Sequence, residues 1–461
     1  MTIDLSTITF TNGADIVPES GQDDILNNGI ANTLDGNDTI TGIGLGSNPY
    51  TPNSGYGIFN IGTLNTAEGD DIITGTARYN LFISSPGNGY GIYNTGTLNT
   101  AEGKDIIDST GENGGIYNTD TFNTAEGDDT IRAGAAGRNG IYNGIYNTGT
   151  LNTAEGDDII TATSGFGGGE GIINTGTFNT AEGNDIITAT GKFGGIDNSG
   201  WFNTADGNDE ITGITSSYEG ISIVDGSIFD TGNGNDRIRG KSNIGTGIYN
   251  ASITFNTGDG DDTIEGTAYY TGIQNKGLIN TGNGKDTIIA KTLYSGPALS
   301  NSSTIDTGDD DDIINVTNGL YNEGIINTGN GDDSIIVNGT VTGYGIYNNG
   351  GVINMGDGND SIIANEGFES AANSSGVWFL GEGEDYIKGY GSGDFYGGNG
   401  QDTLELTPGT YTVGIWGEGD ISPIFTKGDQ LMITSEFEKL KAGNTLYDFT
   451  SLTAGQIIIV T

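Results

Sequence analysis

Fifteen aspartates recur along this chain in nearly the same setting, a small turn followed by aspartate, any residue and an apolar residue. They are Asp38, Asp71, Asp105, Asp129, Asp158, Asp185, Asp209, Asp236, Asp262, Asp286, Asp312, Asp333, Asp360, Asp385 and Asp402. Seven of the later turns carry two glycines each: Gly232 and Gly234, Gly258 and Gly260, Gly282 and Gly284, Gly329 and Gly331, Gly356 and Gly358, Gly381 and Gly383, Gly398 and Gly400. Six earlier copies, from Asp71 to Asp209, read T-A-E-G or T-A-D-G instead. Most turns add a second acid, among them Glu68, Glu102, Glu126, Glu155, Glu182, Asp206, Asp259, Asp309, Asp357 and Glu382. If the copies stack as strands do, the aspartates lie ~4.8 Å apart. At about 4 Å, like charges repel by ~1 kcal/mol in water and by more beside protein. Such a column calls for counter-cations. Glycine lets backbone carbonyls turn toward an ion, and carboxylates with carbonyls make the 6–8 oxygen set of Ca²⁺. The competing reading is a solvated acidic edge of Asx-type turns, and it is strongest for the T-A-E-G copies.

The composition supports a hard cation. The chain has 461 residues with no Cys and no His. Thiolate and imidazole sites are excluded, as are cysteine nucleophiles and histidine bases. A formal charge of −46 argues against nucleic acid as a partner and against docking on anionic lipid. No apolar run approaches a transmembrane helix, and the first twenty residues lack the pattern of a Sec-type signal peptide.

Residues 397–405 read Gly397-Gly398-Asn399-Gly400-Gln401-Asp402-Thr403-Leu404-Glu405, matching G-G-x-G-x-D-x-U-x at each specified place. The segment resembles the RTX family of haemolysin-type calcium-binding repeats. The resemblance covers 32–405 and is closest in 381–405, where Asp394 falls at nonapeptide spacing between Asp385 and Asp402. It implies a parallel β-roll or β-helix, Ca²⁺ in the glycine turns, and calcium-triggered folding outside the cell after type I secretion. The departures are the T-A-E-G turns and a period near 26 rather than two nonapeptides. One ion column along one edge is then expected instead of two.

Three apolar runs can position that column. Ile follows two residues after most of these aspartates, as at Ile73, Ile107 and Ile131. A second run reads G-I-Y-N, as at Gly115-Ile116-Tyr117-Asn118, with Ile and Asn on one face and Tyr on the other. A third places Leu64, Leu98, Phe122 and their counterparts through Phe379 before the turn. The expected fold is all-β, a parallel β-helix or β-roll solenoid of about fifteen coils of about 26 residues, with small terminal caps. Residues 1–31 form the N-terminal cap, 32–405 the repeats, and 406–461 a C-terminal cap and candidate type I secretion signal. Pro49, Pro52 and Pro86 mark projecting loops. The recurring Asn, as at Asn60, Asn94 and Asn118, reads as an internal amide ladder. The outward Thr of T-G-T-[LF]-N-T reads as a strand former rather than an ice-binding row.

With repeats filling the chain, the sequence points to a secreted, non-enzymatic calcium-binding surface, matrix or adhesive protein. The expected location is extracellular or on a bacterial cell surface. Alternatives are a glycan-binding module on the Tyr stripe, with cell-surface or matrix polysaccharide as partner, and a β-helix polysaccharide lyase or epimerase. Stacked ladders would also allow end-to-end self-association.

Overall fold

The computed structural model describes residues 2–18, 23–45, 55–78, 89–137, 140–294, 296–340, 343–370, 375–416 and 422–461. The fold is an all-β parallel solenoid of about 14 turns with almost no helix. Pro49, Pro52 and Pro86 lie outside the described residues. The chain divides into two units, 1–248 and 249–461.

In the first unit a coil has three strands, such as Gly114–Asn118, Thr121–Asn123 and Thr130–Ala135. Each pairs in parallel with its counterparts in the coils before and after. The register matches like with like: Ile92, Ile116 and Ile145; Leu98, Phe122 and Leu151; Ile107, Ile131 and Ile160. All nine are at most 1% exposed. A slip of one residue would turn each ladder outward, so apolar alternation sets the register. Phe178, Phe202 and Phe229 continue the second ladder as rings stacked 4.8 Å apart.

The buried Asn forms a fourth ladder. Asn60 Nδ2 donates to Asn94 Oδ1 (2.7 Å), Asn94 to Asn118 (2.8 Å) and Asn118 to Asn147 (2.8 Å). The second amide hydrogen reaches a strand carbonyl, as from Asn60 to Thr97 (2.8 Å). Both donors of a buried amide are thereby satisfied. Residues 1–31 do more than cap: Thr2–Asp4 pairs in parallel with Asp24–Asn27, and Ile16–Val17 with Thr39–Leu45. Leu5, in a short 3-10 turn, is fully buried over this first coil.

The second unit repeats the design, with Ile288, Ile314, Ile335 and Ile362 in one ladder. One expectation fails here. Trp378, not Phe379, continues the inward row, pairing with Ile353 and Phe395. Phe379 is 41% exposed and stacks outside on Tyr396. After 406 antiparallel pairs join the parallel stack: Gly409–Trp416 lies between Ser422–Lys427 and Ile457–Val460, while Gln430–Ser435 and Lys439–Ala442 still pair in parallel with Gly393–Gly400 and Thr403–Leu406. Tyr411, Phe425 and Leu440 are buried in this β cap.

Candidate metal centre

The turn before each aspartate has a fixed backbone shape. In the T-A-E-G copies Ala67, Ala101, Ala125, Ala154, Ala181 and Ala205 all adopt φ of 59–61°. In the second unit glycine holds the same place at 89–112°. The left-handed turn is therefore kept where its glycine is lost, at a steric cost of about 1–2 kcal/mol per alanine. Asp310, which replaces a glycine before Asp312, also takes a positive φ of 83°. Asp312 keeps its place in the column regardless.

This shape points the following aspartate into the coil. In the first unit the amide of Asp38 donates to Asp71 Oδ1 (2.7 Å), Asp71 to Asp105 (2.7 Å), Asp105 to Asp129 (2.8 Å) and Asp129 to Asp158 (2.8 Å). The run continues through Asp185 and Asp209 to Asp236. In the second unit it runs from Asp262 through Asp286, Asp312, Asp333, Asp360 and Asp385 to Asp402. These fifteen carboxylates are at most 2% exposed.

Two rungs have no counterpart in the sequence reading. The amide of Asp15 donates to Asp38 Oδ1 (2.7 Å) and starts the ladder. The amide of Asp402 donates to Glu438 Oε2 (2.8 Å), a residue of the C-terminal cap. Both had a signal: Asp15-Ile16-Val17 and Glu438-Lys439-Leu440 repeat the acid, any residue, apolar order. Asp394 does not join. It lies in the strand Gly393–Gly400, opposite Val377 and Ile433.

Each hydrogen bond uses Oδ1. In the first unit Oδ2 of Asp38, Asp71, Asp105, Asp129, Asp158, Asp185 and Asp209 is buried without a hydrogen-bond partner. The same holds for Asp286, Asp312, Asp333, Asp360, Asp385 and Asp402. A threonine hydroxyl lies beside each of several carboxylates, Thr66 beside Asp71 for example. The Thr66 hydroxyl, however, donates to the Thr100 carbonyl (3.3 Å). A buried, unpaired carboxylate oxygen is costly. Burial accordingly pushes these groups up, Asp105 to about 6, Asp71 to about 7, and Asp129 and Asp158 to about 8. Neighbouring aspartates add a smaller push to Asp71, Asp129 and Asp158.

The donor set fits a hard cation. A Cβ built on Gly103 would lie 1.9 Å from the Gly69 carbonyl oxygen, and one on Gly127 1.6 Å from that of Gly103. Each such carbonyl is thus aimed along the stack, two residues before an aspartate. The later glycines named from sequence behave alike, with Gly282 set against the Gly258 carbonyl and Gly284 against that of Gly260. The column presents oxygen from carboxylates and carbonyls, the chemistry of Ca²⁺. Among the described residues no three acidic side chains converge into a metal cluster. An ion here would rest on stacked single carboxylates and backbone oxygens.

The outer edge of the same turns differs between units. The first unit stacks Asp35, Glu68, Glu102, Glu126, Glu155, Glu182 and Asp206 at one position, and Asn233 ends that acid run by donating to Asp206 Oδ1 (2.9 Å). The second interleaves amides at that position: Asn283 Nδ2 donates to Asp259 Oδ1 (2.7 Å), Asn330 donates to Asp309, and Asn399 to Glu382 (2.6 Å).

No family model matches the chain, and no curated protein matches it. Among solved structures it is similar to a hyperactive, Ca²⁺-dependent, β-helical antifreeze protein from an Antarctic bacterium, with 14% identity, 96% of each chain covered and a TM-score of 0.28. Among the described residues no helix is long and apolar enough to cross a membrane.

Proposed function

We propose that this chain is a non-catalytic structural scaffold that folds around Ca²⁺ outside the cell, a divergent relative of the RTX repeats exported by type I secretion. The observation behind this reading is the column of fully buried carboxylates, stacked rung on rung with no cationic side chain among them. Each backbone amide fixes Oδ1 of the next rung, and Oδ2 is the oxygen left to meet an ion. The carbonyls of the turn glycines, two residues before each aspartate, would supply further oxygens. Bound Ca²⁺ would supply the positive charge that the column lacks. Sites of the extracellular kind, at about 10⁻⁴–10⁻³ M, stay empty in the cytosol and fill outside. Binding is then coupled to folding. A surface, matrix or adhesive role follows from a chain given over to repeats.

Far-ultraviolet circular dichroism of chelator-stripped protein during a Ca²⁺ titration, with Mg²⁺ as control, tests this. A coil-to-β transition between sub-millimolar and millimolar Ca²⁺ is expected. A full β spectrum in excess chelator with no calcium uptake would overturn it.

The glycan reading rests on the Tyr stripe. Its ring faces cover one another, 4.6 Å apart for Tyr93 and Tyr117. The stripe therefore offers edges and hydroxyls rather than the open faces a sugar ring would stack on.

A further inference from the structure

Tyrosines of neighbouring coils stack ring on ring. Tyr93 lies on Tyr117 with centroids 4.6 Å apart and planes 6° from parallel, and Tyr117 lies on Tyr146 at 5.2 Å and 6°. In the second unit Tyr321 lies on Tyr347 at 5.4 Å and 29°. Strand pairing holds these rings: Tyr93, Tyr117 and Tyr146 are register partners, as are Tyr321 and Tyr347. All five are partly exposed, so their rings reach the protein surface. The chain has no Cys, and no disulfide can tie one coil to the next.

We propose that these stacks are sites of oxidative cross-linking, where dityrosine bonds staple adjacent coils. The oxidant is hydrogen peroxide acting through a one-electron haem peroxidase. Each phenol of a pair gives up one electron and one proton and becomes a phenoxyl radical. Spin density spreads to the carbons ortho to oxygen. Two ortho carbons of facing rings join. Each joined carbon then passes its hydrogen to its own oxygen, restoring two phenols. The pair loses two hydrogens, and the peroxide takes up two electrons and two protons to give two waters.

In-register stacking brings like ortho carbons of the two rings to the same edge. The tilted pair Tyr56 and Tyr93 (45°) does not, and the flat stack of Tyr269 on Tyr294 (4.8 Å, 8°) lies outside the strand register. Tyr321 also has a base in place. Its hydroxyl donates to Glu323 Oε1 (2.5 Å), which can take the proton as the electron leaves.

The test treats dilute, calcium-loaded full-length protein with peroxide and a haem peroxidase. Proteolysis and mass spectrometry then locate peptide pairs lighter by two hydrogens. Links Tyr93–Tyr117, Tyr117–Tyr146 and Tyr321–Tyr347 are expected within monomeric chains. Tyr117→Phe keeps a ring in the stack and should remove the first two links while leaving the third. Dityrosine found only between chains, or mainly through the 59%-exposed Tyr218, would overturn the proposal. So would a Tyr117→Phe variant with an unchanged link pattern.

Discussion

Burial lifts the Asp129 carboxyl to about 8, against the opposing pull of hydrogen bonds from Thr124 and the Asp105 amide. In the unfolded chain the same group sits near 3.8. The folded state therefore binds protons more tightly, and raising the pH favours unfolding. Stability of the cation-free protein should fall as pH climbs from about 4 to about 8, then level off. Saturating Ca²⁺ should abolish that slope, because the ion replaces the proton. Thermal melts in chelator and in calcium across this window measure both. A melting point that rises with pH in chelator would contradict the assignment. Asp129→Asn replaces the orphaned oxygen and should remove the local need for an ion. The variant should melt at or above the parent in chelator, yet bind less calcium by equilibrium dialysis. A separate residue effect belongs to Ala125. Its φ of 60° is strained for any side chain. Ala125→Gly should stabilise the calcium-loaded protein by up to about 1 kcal/mol, less the extra entropy of the unfolded glycine.

At the scale of the strand, ladders decide what can be read from sequence. The inward Ile, Leu and Phe rows were legible because β-branched and aromatic residues recur at a spacing that only stacking can bury. The amide ladder was legible for the same reason. Asn118→Ala tests its weight. It would leave a donor hydrogen of Asn94 and the Oδ1 of Asn147 short of a partner, which should cost about 1–3 kcal/mol in a denaturant melt. A loss under a few tenths would mean that water replaces the amide. The second Asn row, in which Asn99 donates to Asn65 (2.7 Å) and Asn123 to Asn99 (2.6 Å), was equally repetitive. Its half-exposed position hid it behind the turn motif it adjoins. Where the repeat drifts, single-residue reading slips. Val377-Trp378-Phe379 offers three apolar residues in a row, and only register with Ile353 selects Trp378. Asp394 has the right spacing in sequence, but the coil there is shorter and sets it in a strand. Glu438 was hidden because an antiparallel hairpin separates it from Asp402.

Over the entire chain, −46 charges surround thin apolar ladders. Monovalent salt and calcium should act on different parts of that charge. At about 1 M salt the screening length is ~3 Å, enough to quiet the exposed outer acids but not groups closed off from solvent. Salt should then restore only part of the β signal of chelator-treated protein, and millimolar Ca²⁺ the whole. Complete recovery in sodium chloride would show that general repulsion, not the buried column, opposes folding. The unbroken acid row from Asp35 to Asp206 makes 1–248 the more salt-sensitive unit. Hydrogen exchange in chelator should accordingly find amides there opening before those of 249–402, where amides interleave.

The bond from one aspartate amide to the next Oδ1 keeps the same partners and a length of 2.7–2.9 Å at every rung between Asp38 and Asp236. No rung carries information about its number. A whole coil can be duplicated or lost by recombination, and its neighbours will meet the same chemistry as before. Length becomes a heritable dial, turned one coil at a time, and each step carries its own buried carboxylate with it.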